Sequence, residues 1–160
     1  MNVKEKFIAS MSNPLKFKLF AVSKLPSLIF WGIRLYSFSE EKCVTSVKYG
    51  WSNTNPFKSM YFATMIGAAE LSTGLPVMYT IHGEGKTSML VVAVGGKYYK
   101  KAVGRIRFEC TEMNTFRSFF DNLKQKIGNT GVITLHSKAY NEQNELVGEF
   151  EFTWSLKYNG

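Results

Sequence analysis

Histidine, aspartate and cysteine are scarce in this chain of 160 residues: two His (His82, His136), a single Asp (Asp121) and two Cys (Cys43, Cys110). A Ser-His-Asp triad or a metal centre of several His and Cys ligands has little to be built from. Both cysteines fall in strand-like stretches without metal-ligand spacing. They read as buried free thiols in a reducing compartment, not as a disulfide framework. Long apolar runs are missing as well, and the opening Met1-Asn-Val-Lys-Glu-Lys-Phe7 lacks the apolar core of a signal peptide. A cytoplasmic protein is expected. With no repeat, low-complexity tract or linker, residues 1–160 are expected to form one domain with a sizeable core.

Aromatics are plentiful, with 13 Phe and 8 Tyr, so that core can be dense. The net charge of +8 is uneven: residues 1–34 carry six Lys/Arg against one Glu, residues 35–110 nine against five, and residues 111–160 five against six. Such a balance favours an anionic partner, whether nucleic acid, acidic lipid or a phosphorylated small molecule. Nucleic acid rests on charge alone, since no recognised motif or aromatic–basic ladder accompanies it.

The segment from Asn55 to Gly74 stands out. Asn55 can cap a helix, Pro56 suits its first position, and Gly74 and Pro76 form a stop signal. Between them the residues are apolar or small on every side, which predicts a buried helix carrying one carboxylate, Glu70, into the core. Residues 1–34 read as helical, with Asn13-Pro14 and Pro26 as starts. Their apolar face beside Lys16, Lys18 and Lys24 suits either a membrane-surface helix or, the preferred reading, a pair of helices covering one end of a sheet. Two strands are expected between Ile33 and Trp51, turning at Ser39–Lys42, with Cys43, Thr45, Val47, Tyr49 and Trp51 on one face. Val77–Ile81 fits helix or strand, and His82–Lys86 is a loop. Ser88–Val94 is apolar and β-branched like a central strand, with a turn expected at Gly95-Gly96. Tyr98 to Thr111 alternates as a strand. A helix follows from about Asn114 on the stripe Phe116, Phe119, Phe120, Leu123 and Ile127, stopping at Gly128. Two alternating strands, joined by a turn at Asn141–Asn144, end the chain. The expectation is an α+β domain with five or six antiparallel strands against a buried helix.

That order of elements resembles the hotdog fold. The run Asn55, Ser59-Met60-Tyr61, Ala68-Ala69-Glu70 and Gly74 resembles the central motif of hotdog acyl-CoA thioesterases, closest to a branch of unknown function. Tyr99-Lys-Lys-Ala-Val-Gly104 resembles the strand after the CoA-binding turn. The resemblance covers roughly residues 35–158. Two departures stand against it: Phe57-Lys58-Ser59 replaces the family's frequent Gly-Gly, and the helix near 114–127 is extra. The resemblance implies an antiparallel sheet wrapped around the central helix, an acyl-CoA or related acyl thioester as substrate, and no separate cofactor, coenzyme A entering with the substrate. The alternative is a non-catalytic acyl- or lipid-binding protein of the same fold.

Under that reading the N–H groups of Lys58, Ser59 and Met60, at the helix start, would hold a developing oxyanion. Glu70 would serve as base or nucleophile, with a pKa raised by burial, or it is a structural carboxylate. Asn55 is either a cap or a substrate-orienting residue, and Ser59 reads as first-turn helix without a base beside it. Lys97, Lys100, Lys101 and Arg105, with Arg107, form a basic cluster suited to CoA phosphates or to a solvated strand edge. Tyr98 and Tyr99 could stack an adenine or simply pack. At about 1.5 Å per residue, Glu70 lies about 15–20 Å from the expected helix start, so both reach one carbonyl only in a homodimer or a dimer of dimers.

Overall fold

The computed structural model describes residues 3–160; Met1 and Asn2, at the head of the expected N-terminal helical segment, lie outside the described residues. That segment folds into α1 (Val3–Ser12), α2 (Pro14–Lys24) and α3 (Pro26–Trp31). Asn13 starts α2 by accepting the Leu15 and Lys16 N–H groups on Oδ1, each at 3.1 Å. Gly32 ends α3 in the left-handed region, at φ 73°, where glycine carries no steric cost. Phe7, Phe17, Ala21 and Leu28 anchor the three helices in the core.

The hairpin β1 (Arg34–Phe38) and β2 (Cys43–Lys48) turns at the expected Ser39–Lys42, where Ser39 Oγ accepts the Glu41 and Lys42 N–H groups. Cys43, Val44, Thr45, Ser46 and Val47 are all buried, so β2 is covered on both faces. Trp51 leaves that face. It opens a short 3-10 turn, Trp51–Asn53, and is 85% exposed, because the strand has ended and the chain bends round the buried Asn53.

The long helix α4 (Phe62–Ile81) is the expected buried helix, but displaced at both ends. Its start is not at Asn55–Pro56, which instead form a turn. Nor do Gly74 and Pro76 stop it. A Cβ on Gly74 would lie 3.2 Å from the Trp154 ring, so this glycine serves close packing. Pro76 withholds one backbone donor, yet Ser72, Thr73 and Thr80 bond nearby carbonyls (Ala69, Glu70 and Pro76 O) with their hydroxyls, and burial on nearly every side holds the helix together. Val77–Ile81 is therefore helix.

The remaining elements are β3 (Thr87–Tyr98), β4 (Arg105–Cys110), α5 (Met113–Gln125), β5 (Thr130–Tyr140) and β6 (Leu146–Tyr158). The sheet has six antiparallel strands in the order β1-β2-β4-β5-β6-β3. Helix α4 packs against β2, β4, β5 and β6, so the sheet curls round it, and α5 packs on α4 and β5. The buried faces alternate as expected: Ile106, Phe108 and Cys110 on β4, Leu135, Ser137 and Ala139 on β5, and Phe150, Phe152, Trp154 and Leu156 on β6.

Two expectations about β3 fail together. The run Ser88–Val94 is not central: β3 is the edge strand, paired only with β6 among the described residues, and Leu90, Val92 and Val94 are exposed. Gly95 and Gly96 make no turn but continue the strand, opposite Glu151 and Phe150. A Cβ on Gly96 would sit 3.1 Å from the Phe150 ring, so the glycine makes room for that side chain. Helix α5 stops at Gln125, before Ile127, which is fully exposed, while Phe116, Phe120 and Leu123 are buried as expected.

Candidate active site

Glu70 sits mid-way along α4, with Ile66 and Gly67 one turn before it and Gly74 one turn after. It is mostly buried, and among the described residues its carboxylate has no hydrogen-bond or ion-pair partner. Burial alone pushes its pKa up to about 7. Its Oε1 approaches Gly74, and the Trp154 ring packs on the same glycine. Among the described residues the Trp154 Nε1 donor is fully buried without a partner. A Glu70 carboxyl oxygen and the benzo edge of the Trp154 ring thus flank one glycine.

The other expected site residues gather in the segment before α4. Asn55 Oδ1 accepts the N–H groups of Phe57 (2.9 Å) and Ser59 (3.2 Å), and Nδ2 donates to Ser59 Oγ (3.1 Å) and Met60 O (3.2 Å). Asn55 therefore caps a turn instead of a helix, and its amide is fully engaged in shaping that turn. Lys58 occupies the left-handed region at φ 57°, as a tight turn of this kind demands.

This geometry changes the oxyanion assignment. The three N–H groups expected to be free already have acceptors: Lys58 N donates to Asn55 O, Ser59 N to Asn55 Oδ1, and Met60 N to Ala102 O at 2.8 Å. Tyr61 N donates to Asn53 O at 2.7 Å, and Tyr61 O accepts Thr64 N and Met65 N. The N–H groups without acceptors among the described residues are those of Phe62 and Ala63, at the true start of α4. Sequence reading missed them because Asn-Pro is a stronger local start signal than Tyr61, which has no side-chain cap. It also missed Asn53, whose Nδ2 donates to Trp31 O and Lys48 O while Oδ1 accepts Gly50 N, tying α3, β2 and this turn together. The only signal for it was an Asn beside Trp51 and Thr54.

Asn55, Ser59 and Met60 line a groove of about 590 Å³ together with Phe57, Tyr61, Phe62, Met65 and the facing stretch Tyr98–Ala102. Its walls are mainly apolar and aromatic. Two members of the expected basic cluster, Lys100 and Lys101, stand on its rim, where Lys101 Nζ donates to Phe57 O at 3.1 Å and Lys100 pairs with Glu145 at 2.6 Å. The cluster is split otherwise. Lys97 faces Glu149 on the outer side of the sheet, beside a cavity shared with His136 and Glu151. Arg105, on β4, lies opposite Lys48 of β2, away from this groove, and Arg107 bonds Asn144 and lies near Glu109. Tyr98 stacks edge-on against Phe150 and Tyr99 donates to Glu149 Oε2 at 2.7 Å, so both rings already have protein partners. Among the described residues no group of His, Cys, Asp and Glu could hold a metal ion.

Glu70 does not line this groove. Along α4, eight residues separate it from Phe62, about 12 Å at 1.5 Å per residue. One chain thus presents an apolar groove, free N–H donors at its end, and an unpartnered carboxyl group two turns further on.

Solved structures share this fold. A protein of unknown function from Chlorobaculum tepidum is similar at 20% identity and a TM-score of 0.76, over 94% of this chain and 99% of its own. A thioesterase from Haemophilus influenzae is similar at 12% identity and 0.67, over 91% of each chain. A mutant thioesterase from Pseudomonas aeruginosa is similar at 13% identity and 0.69, over 88% of this chain and 92% of its own. These likenesses establish the hotdog fold that the resemblance implied. No curated protein matches the sequence. A family profile, by contrast, matches residues 15–156, nearly the whole length: the chain belongs to the family called domain of unknown function DUF4442.

Proposed function

We propose that this chain is an acyl-thioester hydrolase, acting as a homodimer on acyl-CoA or a related thioester in the cytoplasm, within a single domain of residues 1–160. The observation that carries the reading is Glu70: a carboxyl group with a pKa near 7, mostly buried on the central helix and, among the described residues, committed to no partner. A base of that pKa is about half ionised at neutral pH and takes a proton from water effectively. The Phe62 and Ala63 N–H groups, at the positive end of the α4 dipole, would face the oxyanion formed when water adds to the carbonyl. Collapse of that adduct expels the thiolate, which takes a proton and leaves as free coenzyme A. The apolar groove before α4 suits the acyl or pantetheine chain, with Lys100 and Lys101 at its rim beside the anionic phosphates. Asn55 has a positioning role, holding the turn that forms the groove wall.

The separation of about 12 Å between groove and carboxylate is the reason for a homodimer. The long β3 edge, apolar at Leu90, Val92 and Val94 and paired on one side only, is the strand such a dimer would use. A dimer of dimers would follow from further contacts outside that edge. The same separation is what favours the alternative, a non-catalytic acyl-binding protein with Glu70 idle.

The test is a panel of acyl-CoA esters incubated with the purified protein while free thiol is followed. Glu70→Gln is expected to lower kcat at least about 100-fold with acyl-CoA binding retained. Val92→Lys, on the β3 edge, is expected to give monomers and to lower activity as well. Binding without turnover by the wild type at every chain length would establish the non-catalytic alternative.

A further inference from the structure

We propose that the outer face of α2 is a docking surface for an anionic membrane. Helix α2 is apolar on two opposite sides. Phe17 and Ala21 point into the core, whereas Leu15, Leu19 and Val22, spaced as one stripe along the far side, are 67%, 63% and 55% exposed. Side chains of this kind in a row on water mark a contact surface.

Charge says what covers it. At 3.6 residues per turn, Lys18 falls on one flank of the stripe, and Ser23 and Lys16 fall on the other. Lysines so placed lay their methylene stems along an apolar surface and raise the ammonium groups to the level of lipid headgroups. Among the described residues the side-chain ammonium groups of Lys16, Lys18 and Lys24 have no ion-pair or hydrogen-bond partner. From Glu5 to Glu40 the sequence holds five cations, Lys6, Lys16, Lys18, Lys24 and Arg34, and no carboxylate between them. Such a surface is complementary to an anionic bilayer, where each basic residue adds to the attraction. Nearby, on α3 and the turn after β2, Phe30 and Trp51 form an edge-on aromatic pair that is 59% and 85% exposed. Aromatic side chains of this kind settle at the boundary between headgroups and acyl chains.

A second copy of the chain is the weaker occupant. Helix α2 sits on α1 and α3, on the β1 side of the sheet, while the unpaired strand edge β3 is at the opposite end. Copies joined through β3 leave both α2 faces open. No helix of the described residues is long and apolar enough to cross a membrane, so the contact is with the surface.

Flotation of the full-length protein with vesicles provides the test. The wild type is expected to float with phosphatidylcholine vesicles containing about one third phosphatidylglycerol. It is expected to be released at about 0.5 M salt, and to bind vesicles of phosphatidylcholine alone at least about tenfold more weakly. Combining Leu15→Gln, Leu19→Gln and Val22→Gln is expected to abolish binding. Combining Lys16→Gln and Lys18→Gln is expected to weaken it about 30-fold. These five positions are at the surface, and both variants are expected to keep the wild-type melting temperature and oligomeric mass. The proposal is overturned if the wild type stays with the unbound fraction, if either variant floats like the wild type, or if the glutamine variant of the apolar stripe changes the oligomeric mass.

Discussion

Replacing Glu70 by Gln distinguishes an unpartnered carboxyl group from a structural one by the sign of its effect on stability. Burial moves the Glu70 pKa from an ordinary 4.5 to about 7. Between those two values the folded protein binds more protons than the unfolded chain, so stability falls as pH rises through the window. It is undiminished below about pH 4.5 and reaches its full loss above about pH 7. At about 1.4 kcal/mol per pH unit, the displacement amounts to about 3 kcal/mol. Glutamine keeps the shape of the side chain and carries no charge to desolvate. Glu70→Gln is therefore expected to match the wild type near pH 4.5 and to exceed it by up to about 3 kcal/mol at about pH 8, raising Tm by about 6–12 °C for a chain of this size. Melting curves of both proteins across that range measure the difference, and titrations common to the two cancel. A difference that does not vary with pH, or a variant less stable than the wild type at about pH 8, would refute the reasoning, because either result means that the carboxylate has a partner in solution. On the proposed hydrolase reading, with Glu70 as base, kcat/KM of the wild type is expected to rise with pH to a midpoint near 7.

Gly74→Val adds atoms where even a Cβ stands 3.1 Å from Glu70 Oε1 and 3.2 Å from the Trp154 ring; it is expected to lower the urea midpoint by an amount equivalent to about 1–3 kcal/mol. Phe116 is fully buried on α5, so Phe116→Ala is expected to cost about 3–5 kcal/mol by guanidinium unfolding; a much smaller cost would mean that α5 is an appendage to the core. Burial pushes the Cys110 thiol up to about 11 and the Cys43 thiol well above its ordinary value, so a thiol reagent near neutral pH is expected to label neither in the native protein and both in urea. Unlabelled cysteines also leave the free-thiol assay clean.

The elements whose apolar period matched their surroundings were legible in the sequence. The alternation of β5 and β6 and the stripe of α5 lie where spacing puts them, since one face of each meets the core and the other does not; the hairpin of β1 and β2 turns where expected, although β2 is buried on both faces. The errors cluster at glycines, prolines and one apolar run, where a local signal competes with packing. Gly96 reads as a turn but gives way to Phe150, as Gly74 gives way to Trp154. A glycine kept for close approach and a glycine kept for a turn look alike until the neighbour is known. Ser88–Val94 reads as central because apolarity on both faces usually means cover on both, whereas here it marks an uncovered edge. Of the candidate site, the place of Glu70 on the buried helix was legible because a lone carboxylate in an apolar helix is conspicuous. The groove was half legible: Asn55, Ser59, Met60, Lys100 and Lys101 do meet, although Lys97 and Arg105 turn elsewhere.

The true ends of α4 bear directly on the chemistry of Glu70. Had the helix stopped at Gly74, Glu70 would lie in its last turn, where exposed carbonyls and the negative end of the dipole raise a carboxyl pKa without any burial. A residue perturbed in that way would respond to salt and would lose its perturbation on a small change at the helix end. Instead α4 runs to Ile81, three turns beyond Glu70, and the dipole acts only within the terminal turns. Desolvation is then the cause, and it depends on what packs round the middle of the helix. The displaced start acts in the same direction. With Lys58, Ser59 and Met60 N–H groups engaged by the turn, the free donors move to Phe62 and Ala63. They come closer to Glu70 than the expected start, but at about 12 Å remain too far for both to reach one carbonyl. Correcting the helix shortens the gap without closing it, so a thioester reaction at Glu70 still needs donors from a second subunit.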